Sequence, residues 1–164
     1  MKFSDGLWLN QRGYEVSYAA QAYEVTTTQN AIHVFATANA IWNRAMTLGG
    51  VTFEIVYTAI APDVIRVQIA HHKGGLKNKP QFELNLPEGY VPDEIHEEEG
   101  FVSMTAGSTT LKIKKGTDGW DVSFFRDGKR LTGGGWRCTS YIQENKFHRD
   151  ARLALQTDDD FFNY

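Results

Sequence analysis

One cysteine, Cys138, stands among 164 residues. A disulfide framework needs pairs, so an internal disulfide is excluded. The cytoplasm is the simplest compartment for such a chain. No apolar run approaches the roughly 18 residues of a membrane-spanning helix. The opening Met1-Lys2-Phe3-Ser4-Asp5-Gly6 lacks the apolar core of a secretory signal. Basic residues are in slight deficit, giving a formal net charge of −3. They are scattered rather than gathered in a stripe, so the electrostatic footprint of nucleic-acid binding is missing. No stretch carries a convincing helical period; the best helix candidate is residues 38–48.

Chemical motifs are absent too. There is no nucleophile elbow, phosphate loop, dinucleotide fingerprint or zinc pattern. Gly133-Gly134-Gly135 lacks the Lys-Ser/Thr that a phosphate loop needs, and it reads as a flexible break between strands. His71 and His72 are adjacent, so on a strand they point to opposite faces and cannot share one metal. They read as surface loop residues. Asp158-Asp159-Asp160 lacks the spaced ligands of a calcium loop and reads as a solvated acidic turn. Twenty acidic residues give too many candidate carboxylate pairs for the sequence to single one out. No cofactor and no metal are expected.

What the chain does have is aromatic side chains, β-branched residues and glycine. Aromatics make up 13% of it, and fifteen glycines supply turns. That mixture favours strands. Residues 21–28 and 31–37 are extended runs around Gln29-Asn30. In 51–58, Val51, Phe53, Ile55 and Tyr57 share one face, opposite Thr52, Glu54 and Thr58. Ala61-Pro62-Asp63 turns the chain into 64–70, where Ile65, Val67 and Ile69 oppose Arg66 and Gln68. Residues 71–80 form a polar loop, and Phe82 to Leu86 a short strand. Residues 87–100 read as a solvated turn.

The second half repeats the pattern. Runs 101–105 and 109–115 flank Ala106-Gly107-Ser108. Lys112, Lys114 and Lys115 alternate with Leu111 and Ile113, as on the solvent face of a strand. Trp120, Val122 and Phe124 share a face, and Trp120 reads as core. Asp127-Gly128 is the strongest hairpin signal, because a type I′ turn needs positive φ at both central residues. Residues 129–132, 138–144 and 151–157 complete the set. Ten to twelve short strands at this spacing predict an all-β, antiparallel β-sandwich in a single domain spanning 1–164. The closing Phe161-Phe162-Asn163-Tyr164 would leave aromatic surface bare, which reads as a boundary inside a longer polypeptide.

Flat rings with polar neighbours are the groups that stack on sugars. Trp8, between Leu7 and Leu9 in a polar segment, and Trp136, after three glycines, are the candidate substrate-binding residues. Trp42 is ambiguous.

Several segments carry a resemblance. Met1 to Leu9 resembles the start of bacterial α-xylosidases of glycoside hydrolase family 31. Val122-Ser123-Phe124-Phe125-Arg126-Asp127-Gly128-Lys129-Arg130-Leu131-Thr132-Gly133 is similar to their "DFLRNGERITG"-type hairpin. Gly74-Gly75-Leu76-Lys77-Asn78-Lys79-Pro80 is similar to their G-x-L-x-N-x-P loop. Arg152-Leu153-Ala154-Leu155 resembles the strand before their "YGLGE" motif. The matches keep register from end to end. The resemblance implies a galactose-mutarotase-like N-terminal β-sandwich, ahead of a catalytic (β/α)₈ barrel on the same polypeptide. It implies retaining hydrolysis of α-xylosyl or α-glucosyl saccharides by two barrel aspartates. None of the catalytic residues would lie in this chain. The sandwich would help to wall the active site and could join homo-oligomer contacts. The other reading is a free-standing carbohydrate-binding module.

Overall fold

The computed structural model describes residues 10, 13–71, 85–87, 89–147 and 154–163, with 145–147 and 154–163 described by their backbone alone. The architecture is an all-β, antiparallel β-sandwich. In chain order the strands are β1 Tyr14–Tyr18, β2 Gln21–Thr27, β3 Ala31–Thr37, β4 Thr52–Ala61, β5 Val64–Ala70 and β6 Glu94–Glu97. They continue as β7 Phe101–Ala106, β8 Thr109–Lys114, β9 Val122–Arg126, β10 Lys129–Gly134, β11 Thr139–Phe147 and β12 Ala154–Asn163. One sheet has the order β2-β3-β4-β5 and a second β10-β9-β8-β7-β6. A third, β1-β11-β12, joins chain segments far apart in sequence.

The period-2 alternation builds the core. Register sets Ile32 opposite Tyr57, Val34 opposite Ile55 and Ala36 opposite Phe53 in the first sheet. In the second it sets Val102 opposite Ile113 and Met104 opposite Leu111. All of these are buried in one cluster, with Trp120, Val122 and Tyr141. Each fully buried large side chain contributes about 1.5–3 kcal/mol. The outward residues stay wet. Lys112 lies over the Phe101 ring at 3.4 Å, and Lys115 pairs with Glu97 at 2.7 Å.

Polar turns pin the two large sheets together at one corner. Asp63, at φ 62 in the β4–β5 turn, accepts from the Ser108 amide at 2.6 Å and from its hydroxyl at 2.8 Å. Ser108 belongs to the β7–β8 turn. Arg126 Nε donates to the Ser108 hydroxyl at 3.1 Å, and its guanidinium lies 3.5 Å from Asp63. The Gly107 amide donates to Asp93 at 2.6 Å. Gly107 sits at φ 63, and a Cβ there would come 2.6 Å from the Asp63 carboxylate. Glycine is therefore required on both counts. The Ser108 hydroxyl, then its amide, and the Arg126 charge hold the Asp63 carboxyl below the usual carboxylate range.

Several expectations change on contact with the structure. The 38–48 candidate helix shrinks to one 3₁₀ turn, Arg44–Thr47, none of whose residues is buried. Gly133 and Gly134 are not a flexible break: they close β10, paired with Ser123 and Val122. A Cβ on Gly133 would lie 2.5 Å from the Val122 carbonyl, so the strand needs glycine for this approach. The 87–100 turn contains the edge strand β6, paired with β7. Asp158, Asp159 and Asp160 are not a turn but part of β12, opposite Glu144, Gln143 and Ile142. Asn85 and Leu86, the end of the expected Phe82–Leu86 strand, are not strand, and 82–84 lie outside the described residues, as does the Gly74–Pro80 loop. Asp127 and Gly128 take φ 48 and 77, as the type I′ reading requires.

Leu111→Ala should cost about 2–5 kcal/mol in urea unfolding, because the site is fully enclosed. Leu131→Ala, on an exposed side chain, should stay within about 0.5 kcal/mol. The Asp63 corner should be pH-sensitive. Its folded pKa is depressed, so its contribution is present above the unfolded carboxylate pKa and is lost as pH falls through the folded value. The stability gap between wild type and Asp63→Asn should therefore close on acidification, and a gap constant with pH would contradict the pin.

Candidate functional site

A short turn carries the most exposed tryptophan among the described residues. The Cys138 amide closes it onto the Gly135 carbonyl at 3.2 Å. Arg137 occupies the left-handed region at φ 69. This geometry projects Trp136 outward, with 77% of it exposed. The Arg137 guanidinium stacks 4.2 Å from the Trp136 ring centroid and 5.1 Å from that of Tyr18 on β1. Such stacks hold a ring in place that a surface tryptophan would otherwise swing.

An open groove of about 400 Å³ runs beside this ring. It is lined by Glu15 to Tyr18 of β1, by Ala19 and Ala20 after it, and by Ala38-Asn39 and Gly50-Val51. Glu15, Ser17 and Asn39 supply polar edges next to an aromatic face, the combination a pyranose ring uses. A second hollow of about 320 Å³ shares the Ala38-Asn39 and Gly50-Val51 wall. It is lined further by Tyr23, Phe35, Ile41 and Met46. Neither hollow is enclosed.

A third cavity, of about 130 Å³, lies at the mouth between the two large sheets. Tyr57, Val122, Cys138 and Thr139 line it. Burial, then the nearby Cys138 thiol, pushes the Tyr57 phenol well above its usual range. Tyr57 thus stays protonated well into alkaline pH. The cavity has room for a few waters rather than a sugar.

The sequence candidates fare differently. Trp136 is exposed and lines the groove, with Tyr18 and Arg137 as unforeseen neighbours; nothing in the sequence separates that arginine from other surface cations. Trp8 lies outside the described residues. Trp120 is buried, as expected of core. Trp42 is 66% exposed. His71 lies in the bend after β5, outside the strand as expected, but is half-buried: its ring stacks on buried Tyr141 at 4.1 Å, and Nδ1 lies 3.2 Å from the Thr52 carbonyl. His72 lies outside the described residues. Among the described residues no cluster of His, Cys, Asp and Glu could hold a metal, and no helix is long and apolar enough to cross a membrane.

The Arg137 backbone offers a test. Arg137→Ala removes the stack and keeps the left-handed strain, whereas Arg137→Gly removes both. The glycine variant should be the more stable of the two, by about 1 kcal/mol in urea unfolding. Equal stabilities would contradict the φ assigned to this turn.

No family model matches the chain. It is similar to an α-xylosidase of Emericella nidulans, 26% identical over 88% of this chain and 19% of that protein. It is similar also to an α-xylosidase of Lactiplantibacillus pentosus, 26% identical over 80% of this chain and 17% of that protein. The chain thus spans less than a fifth of the length of either relative. The likeness to these α-xylosidases therefore rests on most of this chain and on a small part of each relative.

Proposed function

We propose that this chain is the N-terminal accessory domain of an α-xylosidase-type retaining glycoside hydrolase. On this reading residues 1–164 form one galactose-mutarotase-like sandwich. It supports and partly walls the active site of a (β/α)₈ barrel on the same cytoplasmic polypeptide. Retaining hydrolysis needs two carboxyl groups about 5–5.5 Å apart across the scissile bond. The reading places both on the barrel and assigns no catalytic residue to this chain. The substrate of the whole enzyme is a terminal α-xylosyl or α-glucosyl residue. One observation carries the proposal: two α-xylosidases match 88% and 80% of this chain, yet the chain accounts for 19% and 17% of them. Trp8 is assigned to a neighbouring surface, in the barrel or in a partner subunit of a homo-oligomer.

The test is hydrolysis of a nitrophenyl α-xyloside. The longer polypeptide encoded with this chain should release nitrophenol, and the 164-residue chain alone should not. Turnover by the chain alone would move the chemistry into the sandwich and end the proposal.

The exposure of Trp136 beside a polar-edged groove favours a second reading, in which the sandwich itself binds saccharide. Titration with xylo- and gluco-oligosaccharides should then show saturable millimolar binding that Trp136→Ala abolishes and Leu131→Ala leaves unchanged. Binding indifferent to Trp136 would exclude the groove.

A further inference from the structure

The segment between β3 and β4 is apolar where the fold gives it no reason to be. Its 3₁₀ turn buries none of its residues. Yet Trp42 is 66% exposed and Leu48 85% exposed. Ile41 and Met46, from the same segment, line the hollow over Tyr23 and Phe35. Tyr23 and Phe35 are themselves exposed on the outer side of the first sheet. Trp42 and Leu48 are chain neighbours of Ile41 and Thr47, which line that hollow, so exposed apolar side chains adjoin it, the kind of surface that marks an interaction site on a soluble protein. From residue 38 to residue 52 the only charged side chain is Arg44. Charge depletion of this kind distinguishes the core of an interface from ordinary surface; on the sheet itself, Glu24 and Glu54 stand opposite Phe35 and border the hollow with charge.

We propose that this face, from the Tyr23–Phe35 hollow to Trp42 and Leu48, is where the sandwich docks on the remainder of its polypeptide. The proposal rests on the accessory-domain reading and adds the contact surface to it. The relatives are about five times longer than the stretch they share with this chain, so a covering partner of ample size is at hand. An element exposing its apolar side needs another element to cover it. Among the described residues the core is already closed by its own sheets and nothing covers this face, so the cover is assigned to the remainder of the polypeptide. Trp42 and Leu48 act as anchors seated in pockets of the partner, and the Tyr23–Phe35 hollow receives a side chain in return.

Hydroxyl-radical footprinting tests this on the 164-residue chain and on the longer polypeptide encoded with it. Trp42 and Leu48 should be modified several-fold more slowly in the longer polypeptide. Leu131, exposed on β10 of the other sheet, should react equally in both. Leu48→Asp should lower the melting temperature of the longer polypeptide and leave that of the short chain unchanged. Equal labelling of Trp42 in both, with α-xyloside hydrolysis intact, would overturn the docking face and spare the accessory-domain reading. Absence of hydrolysis, or of any further coding sequence, would bring down both. Concentration-dependent dimerisation of the short chain, dissolved by Leu48→Asp and without added protection in the longer one, would give the face to a second copy and overturn the proposal.

Discussion

Phe53, Ile55 and Tyr57 on β4 face Val102, Met104 and Leu111 on the opposite sheet, and all six are buried. Removing that apolar surface from water is the main favourable contribution to folding, and it leaves only one side of each sheet available to solvent. The remaining features follow from it. Hairpin turns have to lie at the ends of the sandwich, where Asp63, Ser108 and Arg126 meet. The third sheet has to bring Tyr141 of β11 into that core. Segments with no place between the sheets, above all the one between β3 and β4, are left on the outside.

Hairpins were the part of the fold most legible in the sequence. β4 and β5 show clean alternation, and Asp127-Gly128 specifies its own turn through two positive φ values. Pairings without a local turn were harder to read. β1 alternates Tyr14, Val16 and Tyr18 with polar residues, but its partner is β11, more than a hundred residues away. β6 has one apolar residue, Ile95, and exists because β7 offers it hydrogen bonds. Charged residues suit such an edge strand, which must not recruit a further chain. The glycines at 133 and 134 look like a break in one dimension, and only the closeness of β9 explains why a strand needs them there.

The candidate site was legible to a lesser degree. A tryptophan after three glycines suggests exposure, and Trp136 is exposed. What steadies it is Arg137, in a backbone conformation no sequence pattern announced, together with Tyr18 from the other end of the chain. His71 shows the opposite failure. Its polar neighbourhood suggests a surface loop, whereas the third sheet brings Tyr141 beneath its ring. Long-range contacts decide both cases, and local composition carries no record of them.

The account places chemistry outside this chain and support within it. On the proposed reading hydrolysis belongs to a barrel, and the sandwich contributes a stable body, an exposed tryptophan groove and an apolar face to be covered. The coding sequence downstream of Tyr164 tests this claim most directly. The account predicts a (β/α)₈ barrel with two aspartates at strand ends, their carboxyl groups about 5–5.5 Å apart. An unrelated domain, or a stop codon directly after Tyr164, would contradict it.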